Sequence, residues 1–475
     1  MRLARGLVVL VIVAGLVAAF LVDRNDRPVT ETVPPATNGV PTAEPNGAWF
    51  CPGGSGPGGV AGVNIELVNV GAEAATATVA GVRSGSGPDA RSVEEVVAVG
   101  ERRLVRLPEL VDDADWMGAV VEVEEGELLV EQVYVGGQVS GETLPTDRAP
   151  CHSRTATSWV VASGATRDVE FGEQMWLLVL NPFLDDAVLD IAFDSDVGVQ
   201  TLEAVVVPAR RVVAIDLTAE ITVAGRVSAV IDVVAGRVAV SRVQVVENEF
   251  RAGLTVTPAT ADTAPVWFLP TIHRGTRDDV VTVVNPSRTE TAEVDLEIVA
   301  DGDVAFDPVL LTIRPGRAVQ VPLADEARLD RLESMSIVAR SLTGLPIAVM
   351  SESALPFDGR VTNYSATVGA DAAATRWVAP VEADLGGIVI YNPSQTGISS
   401  ATVSSLVDGV LVTVAEVELG PQRRAVISSE DLEGERPIAV VEASEPVVVG
   451  RELADVSVHA QMVAVISGAE PVPLG

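Results

Sequence analysis

The sequence predicts an all-β fold of four tandem immunoglobulin-like β-sandwich repeats that follow an N-terminal transmembrane helix. Three observations predict it: a tryptophan motif recurs four times, strand-forming residues dominate, and one long apolar run lies at the start. The chain has 475 residues, of which 48% are hydrophobic and 21% charged, so it has enough apolar material for several domains. Frequent Val, with Ile and Thr spread throughout, favours strands over helices.

Tryptophan is the first mark of the repeat. Trp49, Trp159, Trp267 and Trp377 are separated by 110, 108 and 110 residues, and they open the motifs WFCP, WVVA, WFLP and WVAP. We expect each indole to fill the end of a sandwich core and so to be a structural marker of its repeat. The functional alternative is a row of exposed aromatic rings that stack on sugars.

An asparagine marks the end of one strand in every repeat. The apolar strands IELVN, LLVLN, VTVVN and IVIYN end at Asn69, Asn181, Asn285 and Asn392, and a proline follows the last three. Proline cannot donate to a strand ladder, and an asparagine side chain can bond nearby backbone, so the pair ends a strand at a turn. In the first repeat Val70 replaces the proline, and we expect its turn to differ.

Charged residues recur later in each repeat. An arginine follows a tight turn and begins an alternating strand in all four repeats: Arg103, Arg211, Arg317 and Arg424. The last strong strand carries an acid in three repeats and an arginine in the second: Glu131, Arg242, Glu352 and Glu452. We expect structural ion pairs within each repeat rather than a ligand site, although Arg242 prevents one pairing scheme from holding in all four.

These marks divide the chain into six segments. The third repeat has seven short strand candidates in about 90 residues, a pattern typical of an immunoglobulin-like sandwich. A closed propeller is the alternative, but its blades usually need only about 40–50 residues; a circular assembly of the four repeats stays open. The predicted segments are a cytoplasmic flank and transmembrane signal anchor at 1–22, a Pro/Thr-rich stalk at 23–47, and sandwich repeats at 48–150, 151–256, 257–368 and 369–475.

The N-terminus predicts export. Arg2 and Arg5 precede an apolar run from Gly6 to Val22, whose 17 residues reach the short end of the range for a membrane-spanning helix. A positive flank stays in the cytoplasm, so we expect a single-pass protein of the cell membrane whose C-terminal bulk is extracytoplasmic. An uncleaved anchor is favoured over a cleaved signal peptide, and both would export the chain.

Two cysteines support the same compartment. Cys51 opens the first repeat and Cys151 follows its end. Paired cysteines are typical of oxidising compartments, and a sandwich often brings its first and last strands together. The sequence therefore predicts a disulfide between Cys51 and Cys151, and two unrelated thiols are the alternative.

The sequence contains few residues that suggest catalysis. The formal net charge is −34 and lysine is absent, which works against nucleic acid as a partner and excludes lysine-based chemistry such as a P-loop or a Schiff base. His152, His273 and His459 fall in different repeats, and neither CxxC nor HExxH occurs, so zinc is disfavoured. The prediction is a non-enzyme without catalytic, cofactor-binding or metal-binding residues. Acidic turn residues such as Asp194, Asp196 and Asp301 are expected to be solvated.

The anchor, the stalk, the WFCP motif at Trp49–Pro52 and the repeated Asn-Pro strand ends resemble an uncharacterised family of secreted, membrane-anchored actinobacterial proteins. The resemblance covers most of residues 48–467. It implies no activity, so it assigns no residue a role.

Three functional hypotheses remain after these observations. The leading one is a non-catalytic cell-envelope protein that presents tandem sandwiches for interaction with an envelope protein or a cell-wall glycan. The first alternative is an array of carbohydrate-binding modules, which requires exposed aromatic rings. The second is an enzyme with a composite site, which requires a cleft where His273 or His459 meets carboxylates.

Overall fold

The computed structural model describes residues 42–475, except for 44–46, 137, 140–141, 144–146, 249–251, 262, 274–278, 301–305, 324–328, 330–333, 358–359, 382–386, 435, 455–457, 463, 467–471 and 474–475. The predicted anchor at 1–22 and most of the predicted stalk at 23–47 lie outside the described residues. Within the described ranges, no helix is long and apolar enough to cross a membrane.

The prediction of an all-β chain is confirmed: each repeat is built from eight strands, which we number from first to eighth. In the first repeat they are Ala48–Ser55, Ala61–Asn69, Ala75–Arg83, Ser92–Val97, Arg102–Val105, Trp116–Glu125, Leu128–Gly136 and Asp147–Pro150. In the second they are Ser158–Val161, Glu173–Asn181, Ala187–Ser195, Gly198–Val207, Arg211–Asp216, Val227–Ala235, Ala239–Glu247 and Ala252–Pro258. The repeat boundary predicted at residue 256 therefore falls inside an eighth strand.

The later repeats follow the same order. The strands of the third repeat are Val266–His273, Val280–Asn285, Ala292–Val299, Val309–Ile313, Arg317–Pro322, Ser334–Ser341, Ala348–Phe357 and Arg360–Val368. Those of the fourth are Ala372–Pro380, Gly387–Tyr391, Ser399–Val407, Val410–Leu419, Arg424–Ser428, Ile438–Ala454 (its sixth and seventh strands in one) and Val458–Met462. Minor elements are strands Thr42–Ala43, Gln138–Val139, Glu142–Thr143, Ala464–Ile466 and Val472–Pro473, helices Asp168–Phe171 and Leu217–Glu220, and 3-10 turns Leu107–Glu109 and Ser429–Asp431.

The eight strands of a repeat form two antiparallel layers that pack face to face. They are separate sheets in repeats two and three, are joined in repeat one by a parallel pair between the first two strands, and share the long strand Ile438–Ala454 in repeat four. Sheet I has the strand order first-sixth-third-fourth, and sheet II has the order fifth-second-seventh-eighth. An immunoglobulin sandwich instead places its first, second, fourth and fifth strands together, opposite the third, sixth and seventh. The repeats are therefore β-sandwiches whose strand order differs from the immunoglobulin order, because successive strands here alternate more often between the two sheets.

The four marker tryptophans occupy the same place in sheet I. Each lies on a first strand directly opposite a sixth-strand residue, in the pairs Trp49–Val121, Trp159–Ile231, Trp267–Ala339 and Trp377–Val441. All four side chains are at most 1% exposed. A sugar ring cannot reach an indole buried to this degree, so the carbohydrate-array hypothesis loses the residues on which it depended.

The four marker asparagines form one recurring hydrogen-bond pattern. In each, Nδ2 donates to a carbonyl in the turn that follows and to a carbonyl at the end of the fourth strand, while Oδ1 accepts the N–H two residues on. The fourth-strand carbonyls belong to Val97, Val207, Ile313 and Leu419, at 2.8–3.0 Å. Asn69 makes the same bonds, including one from the Gly71 N–H at 2.9 Å, so the expectation of a different first turn is wrong. The side chain ties three chain segments together where a strand ends.

The predicted disulfide is confirmed, since Cys51 and Cys151 are bonded with their Cα atoms 4.7 Å apart. It joins the first strand of the first repeat to the residue that follows the eighth strand. The two cysteines are 100 residues apart in sequence, so the bond encloses one complete sandwich.

The four sandwiches form a closed ring, in which sheet I of each repeat packs on sheet II of the next. Val82 packs on Leu180 at the first junction, Val160 on Val284 at the second, and Phe268 stacks on Tyr391 at 4.1 Å at the third. The fourth junction closes the ring, because Arg102 Nη1 of repeat one donates to the Val381 carbonyl of repeat four at 2.8 Å. Eight sheet layers, two from each repeat, thus succeed one another around an axis, as the blades of a propeller do.

The eighth strands contact one another around the middle of this ring. Packing is tight there: a Cβ added to Gly253 would lie 2.7 Å from Tyr364 of the next repeat. The two ends of the described chain also meet, since Thr42–Ala43 pairs with Val465–Ile466 beside the first strand of repeat four. Ring packing explains why the second strands are apolar without alternation: one face meets the repeat's own core and the other meets the preceding repeat.

Candidate binding cleft between the second and third repeats

Three of the four recurring arginines contact the repeat that precedes their own in the ring. Arg211 donates to the Gly85 carbonyl at 3.1 Å, Arg317 pairs with Asp194 at 2.6 Å, and Arg424 donates to the Ser336 hydroxyl at 3.2 Å. In each case the partner belongs to the preceding repeat. Arg103 differs, since it lies at the surface near Glu95. The predicted ion pairs within each repeat are therefore wrong for Arg211, Arg317 and Arg424, because these arginines begin fifth strands, which belong to the sheet that faces the neighbouring repeat. Arg103 does pair within its own repeat, but with Glu95 and not with the acid of the last strand.

Two junctions contain fully buried ion pairs that involve the seventh strands. Arg242 of repeat two bonds Glu352 of repeat three at 2.7 Å, and Arg451 of repeat four bonds Glu131 of repeat one at 2.6 Å. Both guanidinium groups are 0% exposed, and each also donates to a backbone carbonyl of its own repeat. The seventh-strand charges thus do form structural pairs, but across junctions.

A further cluster of charges lies at the junction that closes the ring. Glu66 is 0% exposed and bonds Arg148 at 2.5 Å, Arg102 at 2.8 Å and Arg436 of repeat four. Burial by itself would raise the pKa of Glu66, but the guanidinium groups of Arg148 and Arg102 outweigh it and lower the pKa to about 2. This carboxylate therefore stays charged at all ordinary pH values and serves closure of the ring.

One junction departs from the others at a single position of the third strand. The strand register makes four residues equivalent, namely Val82, Asp194, Val299 and Leu406. Three of them are buried apolar side chains that pack against the next repeat. Asp194, which is 5% exposed, instead bonds Arg226 at 2.9 Å, Arg317 at 2.6 Å and the Ala318 N–H at 2.8 Å. The expectation that Asp194 is a solvated turn carboxylate is wrong.

A cleft of about 520 Å³ opens at this same junction. One wall is the outward face of sheet I of repeat two, and the other consists of two turns of repeat three. The residues that line it include Asp190, Asp194, Thr201, Glu203, Ser228, Val230 and Asp232 on the first wall, and Val284, Pro286, Arg288, Pro315 and Arg317 on the second. Apolar patches among a few convergent polar groups are typical of binding pockets.

Carboxylates lie side by side on the first wall of the cleft. Asp190 and Asp232 are directly opposite each other on neighbouring strands, and Glu203 lies on the next strand at a β-bulge. The bulge includes Ala204, whose φ of 54° is unusual for a residue with a side chain, and its N–H donates to Asp190 at 2.9 Å. Arg288 reaches across from repeat three and pairs with Asp232. Among the described residues, no group of three or more His, Cys, Asp or Glu side chains could hold a metal ion.

Sequence analysis singled out two residues that line this cleft, Arg317 and Asp194, but assigned neither of them to a site. The tryptophans and asparagines are buried in the scaffold, and the side chains of His273 and His459 lie outside the described residues. Counting from the asparagine marks does not reveal Asp194, because the equivalent position lies 13 residues after the asparagine in the first two repeats and 14 after it in the last two. Only the strand register shows that the position of this acid is apolar in the other three repeats.

His152 is packed between the first two repeats and is held neutral. Its ring lies edge-on against Trp159 with the centroids 4.7 Å apart, and Nε2 donates to the Val240 carbonyl at 2.7 Å. Burial lowers the pKa of His152 to about 4; the bond to Val240 opposes this shift and nearby Arg154 reinforces it. This environment suits a structural histidine.

We expect the protein to lose about 3 kcal/mol of stability through His152 as the pH falls from 6.5 to 4. Between these pH values the imidazole binds a proton more readily in the unfolded chain than in the folded one, so acid favours unfolding. Above pH 6.5 the imidazole is neutral in both states, and no stability is lost through it. Thermal melts of the wild type and of His152→Gln between pH 7.5 and roughly 4 measure it. The variant should lose less stability than the wild type, and parallel curves would contradict the expectation.

Comparisons with known proteins assign this chain to no group. No protein-family model matches it, and no curated protein matches it. A solved structure of Thermotoga maritima 1070 is 21% identical over 22% of this chain and 93% of its own, with a TM-score of 0.19. A Streptomyces avermitilis alpha-L-rhamnosidase complexed with L-rhamnose is 9% identical over 84% of this chain and 55% of its own, with a TM-score of 0.11. Similarities at these scores support no conclusion about fold or function.

Proposed function

We propose that this chain is a non-catalytic cell-envelope protein that binds an envelope partner, either a protein or a cell-wall glycan, in the cleft between its second and third repeats. The anchor at 1–22 would hold it in the cell membrane as a single-pass protein with the ring outside. The disulfide between Cys51 and Cys151 supports an oxidising compartment.

One observation carries the proposal: the junction that breaks the repeat pattern at Asp194 also contains a cleft. A ring that only needed stability would be served by the apolar contact that Val82, Val299 and Leu406 make. At Asp194 the chain instead places a buried carboxylate, which requires Arg226 and Arg317 to offset the cost of its desolvation. Polar groups retained at such a cost, beside a cavity, are typical of a binding site.

Site-specific photo-crosslinking in the full-length chain in living cells tests the proposal. A photoreactive residue at Thr201 faces the cleft, and the same register position in repeats one and four is Ser92 and Thr413. All three side chains are exposed, so Ser92 and Thr413 are matched controls. We expect Thr201 to give a discrete adduct at least five times more abundant than either control. Equal labelling at the three positions would overturn the proposed site.

The chemistry of the adduct then identifies the class of partner. A protein partner gives a protease-sensitive band of defined mass, and a glycan gives a heterogeneous adduct that cell-wall hydrolases shorten. Either result supports the proposed function.

A further inference from the structure

The cleft already contains a cation supplied by the protein itself. Arg288 lies three residues after Asn285, on the turn that the asparagine clamps, and its guanidinium pairs with Asp232 on the opposite wall. At the same distance from the asparagine the other repeats carry Ala72, Leu184 and Gln395. The positive charge at this turn is therefore specific to the junction with the cleft.

The wall that receives Arg288 is unfavourable without a cation. Like charges directly opposite each other on antiparallel strands repel, and Asp190 and Asp232 have this arrangement. Asp190 is partly compensated by the Ala204 N–H. The wall of the cleft therefore presents neighbouring carboxylates, and a guanidinium or ammonium group bound there would relieve their mutual repulsion.

Arg288 is nevertheless held weakly. Its side chain is 80% exposed and that of Asp232 is 40% exposed. Exposed ion pairs contribute only about 0–1 kcal/mol because solvent screens them. A cation from another molecule could replace Arg288 on Asp232 at little cost, whereas Arg317 would stay paired with Asp194, whose carboxylate is only 5% exposed.

We propose that the cleft receives an arginine or lysine side chain from an extended segment of a partner protein, and that Arg288 occupies this cation position in the free protein. This inference rests on the proposed function, since it concerns the same site. The net charge of −34 attracts basic partners over long range. Among the described lining residues the one aromatic ring, Phe193, is 1% exposed, so the wall offers no stacking surface to a sugar. Apolar wall residues such as Val230 and Pro286 suit the flanking residues of a peptide.

Ligand-observed NMR titration of the full-length protein with blocked pentapeptides tests the inference. The probe is acetyl-Gly-Val-Arg-Val-Gly-amide, and its counterparts carry citrulline or glutamate in place of arginine. We expect the arginine peptide to bind at least tenfold more tightly than either counterpart, and this preference to shrink as the salt concentration rises. Equal binding of the arginine and citrulline peptides would overturn the inference.

Two variants test the separate roles of Asp232, which would bind the cation of the partner, and Arg288, which would compete with it. Asp232→Asn should weaken binding of the arginine peptide about tenfold. Arg288→Ala should strengthen it two- to fivefold, because the internal competitor is removed. Arg91→Ala, which removes the exposed pair with Asp112 in repeat one, is the matched control and should change nothing. If Arg288→Ala weakens binding, Arg288 is part of the wall and the inference fails.

Failure of the inference can be distinguished from failure of the proposed function. A glycan adduct at Thr201, together with no preference for the arginine peptide, would reject the basic partner and retain the cleft as a binding site. Absence of a specific adduct at Thr201 would reject the cleft itself. Thermal melts of Asp232→Asn and Arg288→Ala verify that both variants fold, as expected for side chains this exposed.

Discussion

Replacing Arg242 by methionine is expected to destabilise the protein by about 3–5 kcal/mol. The substitution leaves Glu352, which is 6% exposed, without the guanidinium that bonds it at 2.7 Å. Ser163 and Tyr364 still donate hydroxyl hydrogens to this carboxylate, but neither supplies a positive charge. Chemical denaturation followed by tryptophan fluorescence measures the loss.

The double variant Arg242→Met with Glu352→Leu is the matched control. Because both charges are removed together, no buried charge remains alone, and we expect most of the lost stability to return. Arg91→Ala, which breaks an exposed pair, should cost less than about 1 kcal/mol. If the double variant were as unstable as the single one, the cost would come from lost packing at the junction and not from the unpaired carboxylate.

Replacing Trp267 by alanine is expected to lower the free energy of unfolding by about 3–5 kcal/mol, because it opens a cavity in the core of repeat three. The indole is 1% exposed, and its Nε1 donates to the Ala264 carbonyl at 3.0 Å and the Ile347 carbonyl at 2.7 Å. The same denaturation experiment measures the effect. A loss below about 1 kcal/mol would contradict the role of the tryptophan as the filling of the core.

Substituting phenylalanine for Trp267 and, separately, for Trp159 distinguishes the stability that comes from packing of the ring from the stability that comes from its hydrogen bonds. Trp159 is equally buried, but its Nε1 has no hydrogen-bond partner among the described residues. Trp267→Phe should therefore cost about 1–2 kcal/mol more than Trp159→Phe, because only the former leaves two carbonyls without their donor. Equal costs would mean that the bonds of Trp267 contribute little.

The buried ion pair between repeats one and four favours the closed ring over other ways in which the repeats could pack. A head-to-tail contact closes into a ring only if each repeat meets the correct neighbour in the correct register, and otherwise it continues as a filament. Glu131 and Arg451 pair only when repeat four meets repeat one. Any other register would leave the Arg451 guanidinium buried without a carboxylate, and Glu131 with only Arg148 of its own repeat at 3.4 Å. Apolar contacts alone would discriminate less well between four similar junctions.

The sequence alone determined the strand class, the number of repeats and their period, and it predicted the disulfide correctly. These features depend on composition and on local patterns, which a single pass along the chain contains. Trp159 and Asn181 could be recognised because each recurs at a constant place relative to its own strand. The residue pattern of a strand involves only neighbours in sequence, so it can be recognised without knowledge of the fold.

Only the tertiary structure decided the order of strands within each sandwich, the closure of the ring and the partners of the charged residues. The immunoglobulin strand order was a reasonable expectation from seven short strands, yet strand count does not specify which strands pair. Glu66 and Arg436 are 370 residues apart in sequence, and no local pattern relates them. The cleft has the same origin: Asp232 and Arg288 belong to different repeats and meet only because sheet I of one repeat packs on sheet II of the next. Local interactions specify the elements, whereas contacts between distant segments specify the site.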